Sequence, residues 1–183
     1  MRESGILMHI TSLPAPYGIG TMGKDAYAFV DFLVKAGQRY WQILPLTPTG
    51  YGDSPYQSLG ACAGNHYLID LDTLADEGLL KKEEIQNVSW GNNPKRVDFG
   101  AMYAHRMAVL RLAFQRFAPD ETYEAFVEQN RSWLEDYALF MALKGSLGGK
   151  PWLDWPEDLR LRKADALAEK RRELSEEIGL QYF

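Results

Sequence analysis

Two short apolar runs with one amphipathic stretch between them open the chain, and that order leaves few ways to fold. Gly5 to Ile10 (Gly-Ile-Leu-Met-His-Ile) reads as a buried strand. A loop rich in proline and glycine follows, from Thr11 to Gly23. Between Asp25 and Ala36 apolar side chains recur at helical spacing, at Ala26, Phe29, Val30, Leu33 and Val34, and Gly37 stands where such a helix stops. Tyr40 to Leu46 is a second strand, closed by Pro45 and Pro48. Strand, helix, strand with short joints is one βαβ unit, whose strands should be parallel neighbours with a right-handed crossover.

After Pro48 the character changes. A long loop, Thr49 to Gly64, leads to a short extended run from His66 to Leu71. Helical patterns then dominate. Asp98 is placed to cap a helix reaching Phe117, with Tyr103, Met107, Leu110 and Phe114 on one face. Asp120 is placed to cap another, with Tyr123, Phe126 and Val127 inward and the period continuing through Trp133 and Phe140 to Gly145. Gly148-Gly149-Lys150-Pro151 breaks it, and a last amphipathic stretch from Asp158 to Ile178 turns Leu167, Leu174 and Ile178 inward. Two parallel-type strands open an α/β layout, yet no third strand of that kind follows. Buried parallel strands belong to covered sheets, so the chain reads as a fragment of a larger fold.

Charge narrows the function classes. A formal net charge of −5 lacks the basic face that phosphate neutralisation requires, which argues against nucleic acid as a partner. The basic residues Arg160, Arg162, Lys163, Lys170, Arg171 and Arg172 alternate with acids at helical spacing, as on a solvated, ion-paired face. No apolar run approaches the roughly 20 residues a bilayer span needs. The single cysteine, Cys62, suits a reducing, cytoplasmic setting. His66 and His105 have no metal-ligand spacing with each other or with Cys62, so neither a metal nor any cofactor is expected. His9 reads as a satisfied core or loop-support residue, and Asp70 and Asp72 as residues bracketing a turn.

Two loops carry candidate chemistry. Gly18-Ile19-Gly20-Thr21-Met22-Gly23 is a literal G-x-G-x-x-G between a strand and a helix. In a dinucleotide site those glycines follow the strand directly, and an acidic residue stands at the tip of the second strand. Here Thr11 to Tyr17 intervenes and Tyr40 to Leu46 holds no acid, so glycines shaping a wide loop is the better reading. The second loop, Gly50-Tyr51-Gly52-Asp53-Ser54-Pro55-Tyr56-Gln57, follows the second strand at the end where α/β folds place ligands. Asp53 can bond the backbone of its own turn, and Pro55 stiffens the approach to Tyr56. An aromatic ring beside Ser54 and Gln57 could stack on a sugar face and bond its hydroxyls. An ordinary turn with an inward tyrosine fits the same residues equally well.

A set of segments tips that balance. Ser4-Gly5-Ile6-Leu7, Thr11-Ser12-Leu13-Pro14, Pro16 to Gly20, Ala36 to Gln42, Leu44-Pro45-Leu46, Gly50 to Gln57 and Ala63-Gly64-Asn65 resemble, in order and spacing, the beginning of the 4-α-glucanotransferases (amylomaltases, disproportionating enzymes of glycoside hydrolase family 77). Val97-Asp98-Phe99, Asp136 to Lys144 and Pro151-Trp152 extend the likeness over nearly the whole chain. The resemblance implies the N-terminal fragment of a (β/α)8 TIM barrel with a helix-rich subdomain inserted after strand 2. Residues 1–64 would be the first βαβ unit and substrate loop, and 65–183 the mainly helical insertion. A whole barrel needs roughly 250 residues. The implied reaction moves α-1,4-glucan segments between maltodextrins by a retaining double displacement.

The family's aspartate nucleophile, glutamate acid/base and stabilising aspartate lie on later barrel strands, so no catalytic residue is assigned within 1–183, and this polypeptide alone should be inactive. By the same resemblance Tyr56 matches the tyrosine that stacks on the sugar beside the cleaved bond, and Ser54 a neighbour in that subsite. Tyr51 and Tyr103 match two tyrosines that in some members form an accessory groove for long glucans. The competing classes are a non-catalytic α-glucan-binding module and a nucleotide-binding α/β protein.

Overall fold

The computed structural model describes residues 2–50 and 52–183. It divides into two compact units, Met1–Phe117 and Ala118–Phe183. The first begins with the expected βαβ order. Strand β1 (Gly5–Leu7) pairs in parallel with β2 (Tyr40–Gln42), in the register Gly5 to Tyr40, Ile6 to Trp41 and Leu7 to Gln42. Helix α1 (Lys24–Lys35) lies between them in sequence. Its end is a local device: Gly37 takes φ 69°, its amide donates to the Val34 carbonyl, and Gln38 donates back to Leu33.

Both strands are shorter than the apolar runs suggest, and both are exposed where the sequence implied burial. Ile10–Ser12 already turn as a 3-10 helix, which ends the first run. Ile6 is 39% and Leu7 61% exposed, because no described strand or layer covers that face. Val30 and Val34 of α1 are likewise exposed, although they continue its apolar period. The inner face of the unit is secure: Ile10, Leu13 and Leu68 are buried, with Ala26, Phe29 and Trp41 packed against them.

The extended run read from His66 to Leu71 is instead a 3-10 turn, His66–Leu68, followed by α2 (Leu71–Asp76). Asn65 and Asp70 override the extended preference by capping the two turns in succession, accepting from the amides of Tyr67 and Thr73. Asp70 also accepts from the Thr21 hydroxyl at 2.5 Å, and Asp72 from Tyr17 at 2.7 Å. Burial raises the Asp70 carboxyl, but the hydrogen bonds from Thr21 and Thr73, with the nearby Arg106 charge, outweigh it and leave its pKa lowered. The turn around these acids thus serves the structure.

Helix α3 (Lys82–Gln86) leads to α4 (Phe99–Phe114), which Asp98 caps through the Ala101 amide at 3.0 Å. The buried stripe of α4 is Met102, Arg106, Val109, Leu110 and Ala113. It is rotated from the face the sequence suggested, and Tyr103 stands half exposed beside it. Arg106 is fully buried. Its Nη2 donates to the carbonyls of Tyr67 (3.2 Å) and Ile69, and its guanidinium lies 5.7 Å from the centre of the Trp90 ring. Burial lowers its pKa to about 10, so it stays charged at neutral pH.

In the second unit α5 (Glu121–Ser146) starts at Asp120, which accepts from the Tyr123 amide at 2.8 Å. Phe126 is 46% exposed rather than inward, because Tyr123 and Val127 form the i, i+4 stripe and Phe126 lies at its edge. The last amphipathic stretch is three helices, α6 (Glu157–Arg160), α7 (Ala164–Glu173) and α8 (Ser175–Tyr182), since Arg162 takes φ 55° and Leu174 leaves the helical path. Leu139, Leu143, Trp155, Leu159 and Leu167 make its core, with Leu174 and Ile178 packed on it. The basic residues remain outward, Arg162 pairing with Asp136 and Lys170 with Glu173, both at 2.6 Å.

Replacing Arg106 by Met keeps length and apolar volume but removes the donors to Tyr67 and Ile69. Loss of about 2–4 kcal/mol is expected, read as a lower urea midpoint. An unchanged midpoint would show that the guanidinium does not hold the 66–70 segment. His66 gives a pH signature. Burial, then the Arg106 charge, lowers its pKa from 6.5 to about 4. The unfolded chain therefore binds the proton first, and stability complete above pH 6.5 falls as pH drops toward 4. Denaturation at a series of pH values should show a shallower decline in that window for His66→Gln.

Candidate functional site

Beyond β2 the backbone is pinched into a small closed loop. Thr49 and Ser58 form an isolated antiparallel bridge, and the Gly50 amide donates to the Gln57 carbonyl at 3.1 Å. Two tight turns fill the space between. Asp53 N donates to Gly50 O at 3.2 Å, and Gln57 N to Ser54 O at 3.0 Å, with Pro55 in the second position that its fixed φ favours. Ser54 Oγ accepts from the Tyr56 amide at 3.4 Å, so this hydroxyl braces the turn that carries the ring. Tyr56 is 73% exposed, and the inward-tyrosine alternative is therefore excluded.

Asp53 behaves differently from its sequence reading. It takes φ 58°, a left-handed conformation that costs most residues energy and that aspartate tolerates comparatively well. Its carboxylate turns to α4 and accepts a hydrogen bond from the Tyr103 hydroxyl. Tyr103 in turn meets Tyr67 edge-on, with centroids 6.0 Å apart at 72°. Desolvation, then the Asp53 bond and charge, raise the Tyr103 phenol, and burial with the Asp53 charge lifts Tyr67 to about 12. Both phenols are neutral at physiological pH, and that of Tyr103 donates to Asp53. The structure thus brings Ser54, Tyr56 and Tyr103 onto one loop-and-helix assembly, while Tyr51 lies outside the described residues. The Tyr103–Asp53 bond was missed in the sequence, since 50 residues separate the partners and no local pattern links them.

The glycine loop has a packing explanation. A Cβ at Gly18 would stand 2.5 Å from the Trp90 carbonyl, one at Gly20 2.0 Å from that of Ile10, and one at Gly23 2.1 Å from the Asp70 carboxylate. These glycines let three segments close on one another, so the motif needs no nucleotide. His9 corrects the expectation of a satisfied residue: Nδ1 is buried with no hydrogen-bond partner among the described residues. The turn it precedes uses its backbone carbonyl, accepting from Ser12 N at 3.0 Å, and is not capped by the imidazole. Among the described residues no group of three or more His, Cys, Asp or Glu could hold a metal ion, and no helix is long and apolar enough to cross a membrane.

Comparison with known proteins identifies the chain's relatives. Residues 8–183 match the family model described as 4-alpha-glucanotransferase. The chain is 50% identical to the 4-alpha-glucanotransferase of Thermus thermophilus over 188 residues, covering 100% of this chain and 37% of that protein. It is 47% identical to that of Clostridium butyricum over 178 residues, covering 96% of this chain and 37% of the relative. Among solved structures, the amylomaltase from Streptococcus agalactiae in complex with acarbose superposes with a TM-score of 0.93 at 46% identity, covering 100% of this chain and 38% of the other. The chain therefore spans little more than a third of the length of these relatives, as an N-terminal portion of the longer enzyme. With the family model covering nearly all of it and half its residues shared with one relative, this chain belongs to the 4-alpha-glucanotransferase family.

Proposed function

We propose that the chain supplies the sugar-holding loop of a cytoplasmic 4-α-glucanotransferase that moves α-1,4-glucan segments between maltodextrins. The observation that carries this reading is the braced turn after β2, which holds the Tyr56 ring 73% exposed next to Ser54. An exposed ring face stacks on the apolar face of a glucose unit, and the serine and backbone groups at its edge can bond hydroxyls. Tyr56 and Ser54 form the principal subsite; Tyr103, with Tyr51, lines an accessory groove for longer glucans. The acarbose bound to the Streptococcus agalactiae amylomaltase supports an α-glucan-like ligand for this chain as well.

The architecture that best accommodates the exposed parallel pair is a (β/α)8 barrel. Residues 1–64 are then its first βαβ unit with the substrate loop, and 65–183 the mainly helical insertion after strand 2. The chemistry is a retaining double displacement. A carboxylate attacks the anomeric carbon as its bond to O4 breaks, and a second carboxyl, about 5 Å away, protonates the departing O4; the 4-hydroxyl of an acceptor glucan then attacks the anomeric carbon, releases the first carboxylate and gives its proton to the second. Those carboxylates belong to later strands, so residues 1–183 contribute sugar contacts, bind poorly on their own and do not cut.

Incubation of the 183-residue chain with maltotriose should give neither glucose nor longer maltodextrins by chromatography, whereas the longest natural polypeptide containing it should give both. Turnover by residues 1–183 alone would place the carboxylates inside this chain. Failure of the longest polypeptide to react, with maltodextrin binding retained, would favour a non-catalytic module. In the longer polypeptide Tyr56→Ala should lower kcat/KM by about tenfold, the loss of one ring-to-sugar contact. An unaltered kcat/KM would remove Tyr56 from the subsite.

A further inference from the structure

We propose that Asp53 and Tyr103 are a positioning pair: the Tyr103 hydroxyl, held on α4, locks Asp53 in its left-handed conformation and thereby sets how the next turn presents Tyr56. The inference rests on the reading of Tyr56 as a sugar platform and adds the device that aims it. Three observations converge. Asp53 is one of two described non-glycine residues with positive φ, and the sterically costly position adjoins Gly52 at φ 91°. Such backbone persists where surroundings over-determine it. The Tyr103–Asp53 bond joins the loop to a helix that Arg106 anchors one turn further along. Tyr103 is itself fixed from the side by the buried Tyr67.

The geometry divides the labour within one residue. The hydroxyl of Tyr103 is engaged by Asp53, while half of its side chain remains open to solvent. Tyr103 can therefore flank a glucan with its face and aim Tyr56 with its oxygen. Between Asp53 and Tyr56 stand only Ser54 and Pro55, and Pro55 has a fixed φ, so rotation at Asp53 passes to the ring with little loss. Neither residue is a catalytic residue; Asp53 and the Tyr103 hydroxyl act through Tyr56, apart from any contact the open face of Tyr103 makes with a longer glucan.

The test uses Asp53→Ala, Asp53→Asn, Tyr103→Phe and the Asp53→Ala/Tyr103→Phe double variant in the longest natural polypeptide containing this chain. KM for maltotriose should rise about fivefold in Asp53→Ala and in Tyr103→Phe, with kcat changed less than about twofold, the size of one exposed hydrogen bond. The double variant should stay near about fivefold rather than reach the product of about 25-fold, because both changes break one contact. Asp53→Asn, which keeps an acceptor and tolerates the left-handed backbone, should retain most of the affinity. Amide hydrogen exchange in residues 52–57 should quicken in Asp53→Ala and Tyr103→Phe without ligand present, a readout independent of sugar. Should Asp53→Ala fail to fold, Tyr103→Phe, which keeps the ring, carries both measurements. Additive losses, failure of Asp53→Asn to rescue, or unchanged exchange would overturn the pair. If Tyr56→Ala also leaves KM unchanged, the sugar-platform reading falls with it; a Tyr56 effect without effects at Asp53 and Tyr103 sinks the pair alone.

Discussion

Much of the first unit hangs on a charge inside it. Arg106 sits on α4 with no exposed surface, and its guanidinium reaches the carbonyls of Tyr67 and Ile69. Those carbonyls lie in the short 3-10 turn and at its exit, a connector too short to satisfy its own acceptors, and buried backbone acceptors must find partners elsewhere. One nitrogen, Nη2, serves both carbonyls, while Nε and Nη1 are buried with no hydrogen-bond partner among the described residues. Burying the cation is costly, and the Asp70 carboxylate and the Trp90 ring offset part of that cost. The connector is also where the chain's early and late segments meet. Met22 donates to Leu68, Asn65 to Leu46, and Thr21 to Asp70, so fixing residues 65–70 fixes the glycine loop and the exit from β2 together.

From that anchor a mechanical line runs to the loop after β2. Arg106 and Tyr103 are three residues apart on α4, so they project from neighbouring turns of one helix. Holding Arg106 in place holds Tyr103, and Tyr103 holds Asp53. The loop closes on itself at Thr49–Ser58, which suppresses bending but not rotation about its base. A side-chain tether near its middle removes the remaining freedom. A binding loop that is ordered before the sugar arrives loses less conformational entropy when it binds.

Features governed by neighbours in sequence were legible before the structure. The order strand, helix, strand, the parallel pairing, the caps at Asp98 and Asp120 and the stop at Gly37 each depend on a few adjacent residues. Features governed by distant partners were not. His66 to Leu68 has the composition of a strand, and the capping by Asn65 and Asp70 makes it a turn. Arg106 looks like a surface residue until the carbonyls of Tyr67 and Ile69 are found beside it. Tyr103 was picked out by resemblance, but periodicity put it on the wrong face of α4, and its bond to Asp53 spans 50 positions. In the candidate site the turn at Pro55 was legible, whereas the residues alone left the orientation of Tyr56 open and gave no sign of the left-handed Asp53.

The exposed apolar surface bears on how binding and chemistry are shared. Ile6, Leu7 and Tyr40 on the strands, and Tyr27, Val30, Phe32 and Val34 on α1, stand open although α1 has a well-formed C-terminal cap. Elements this regular with faces this uncovered are built to be packed against, and in the proposed barrel further strands and helices would cover them. The loop after β2 differs, because its turns and its tether lie within residues 49–103. Its shape therefore does not wait on the covering layers. Under the proposed function, the Tyr56 platform would be prearranged by local turns and one helix, while the carboxylates would depend on the closed barrel. A retaining reaction of the proposed kind requires two carboxylates spaced to within a fraction of an ångström, and a closed ring of paired strands would maintain that tolerance better than a loop.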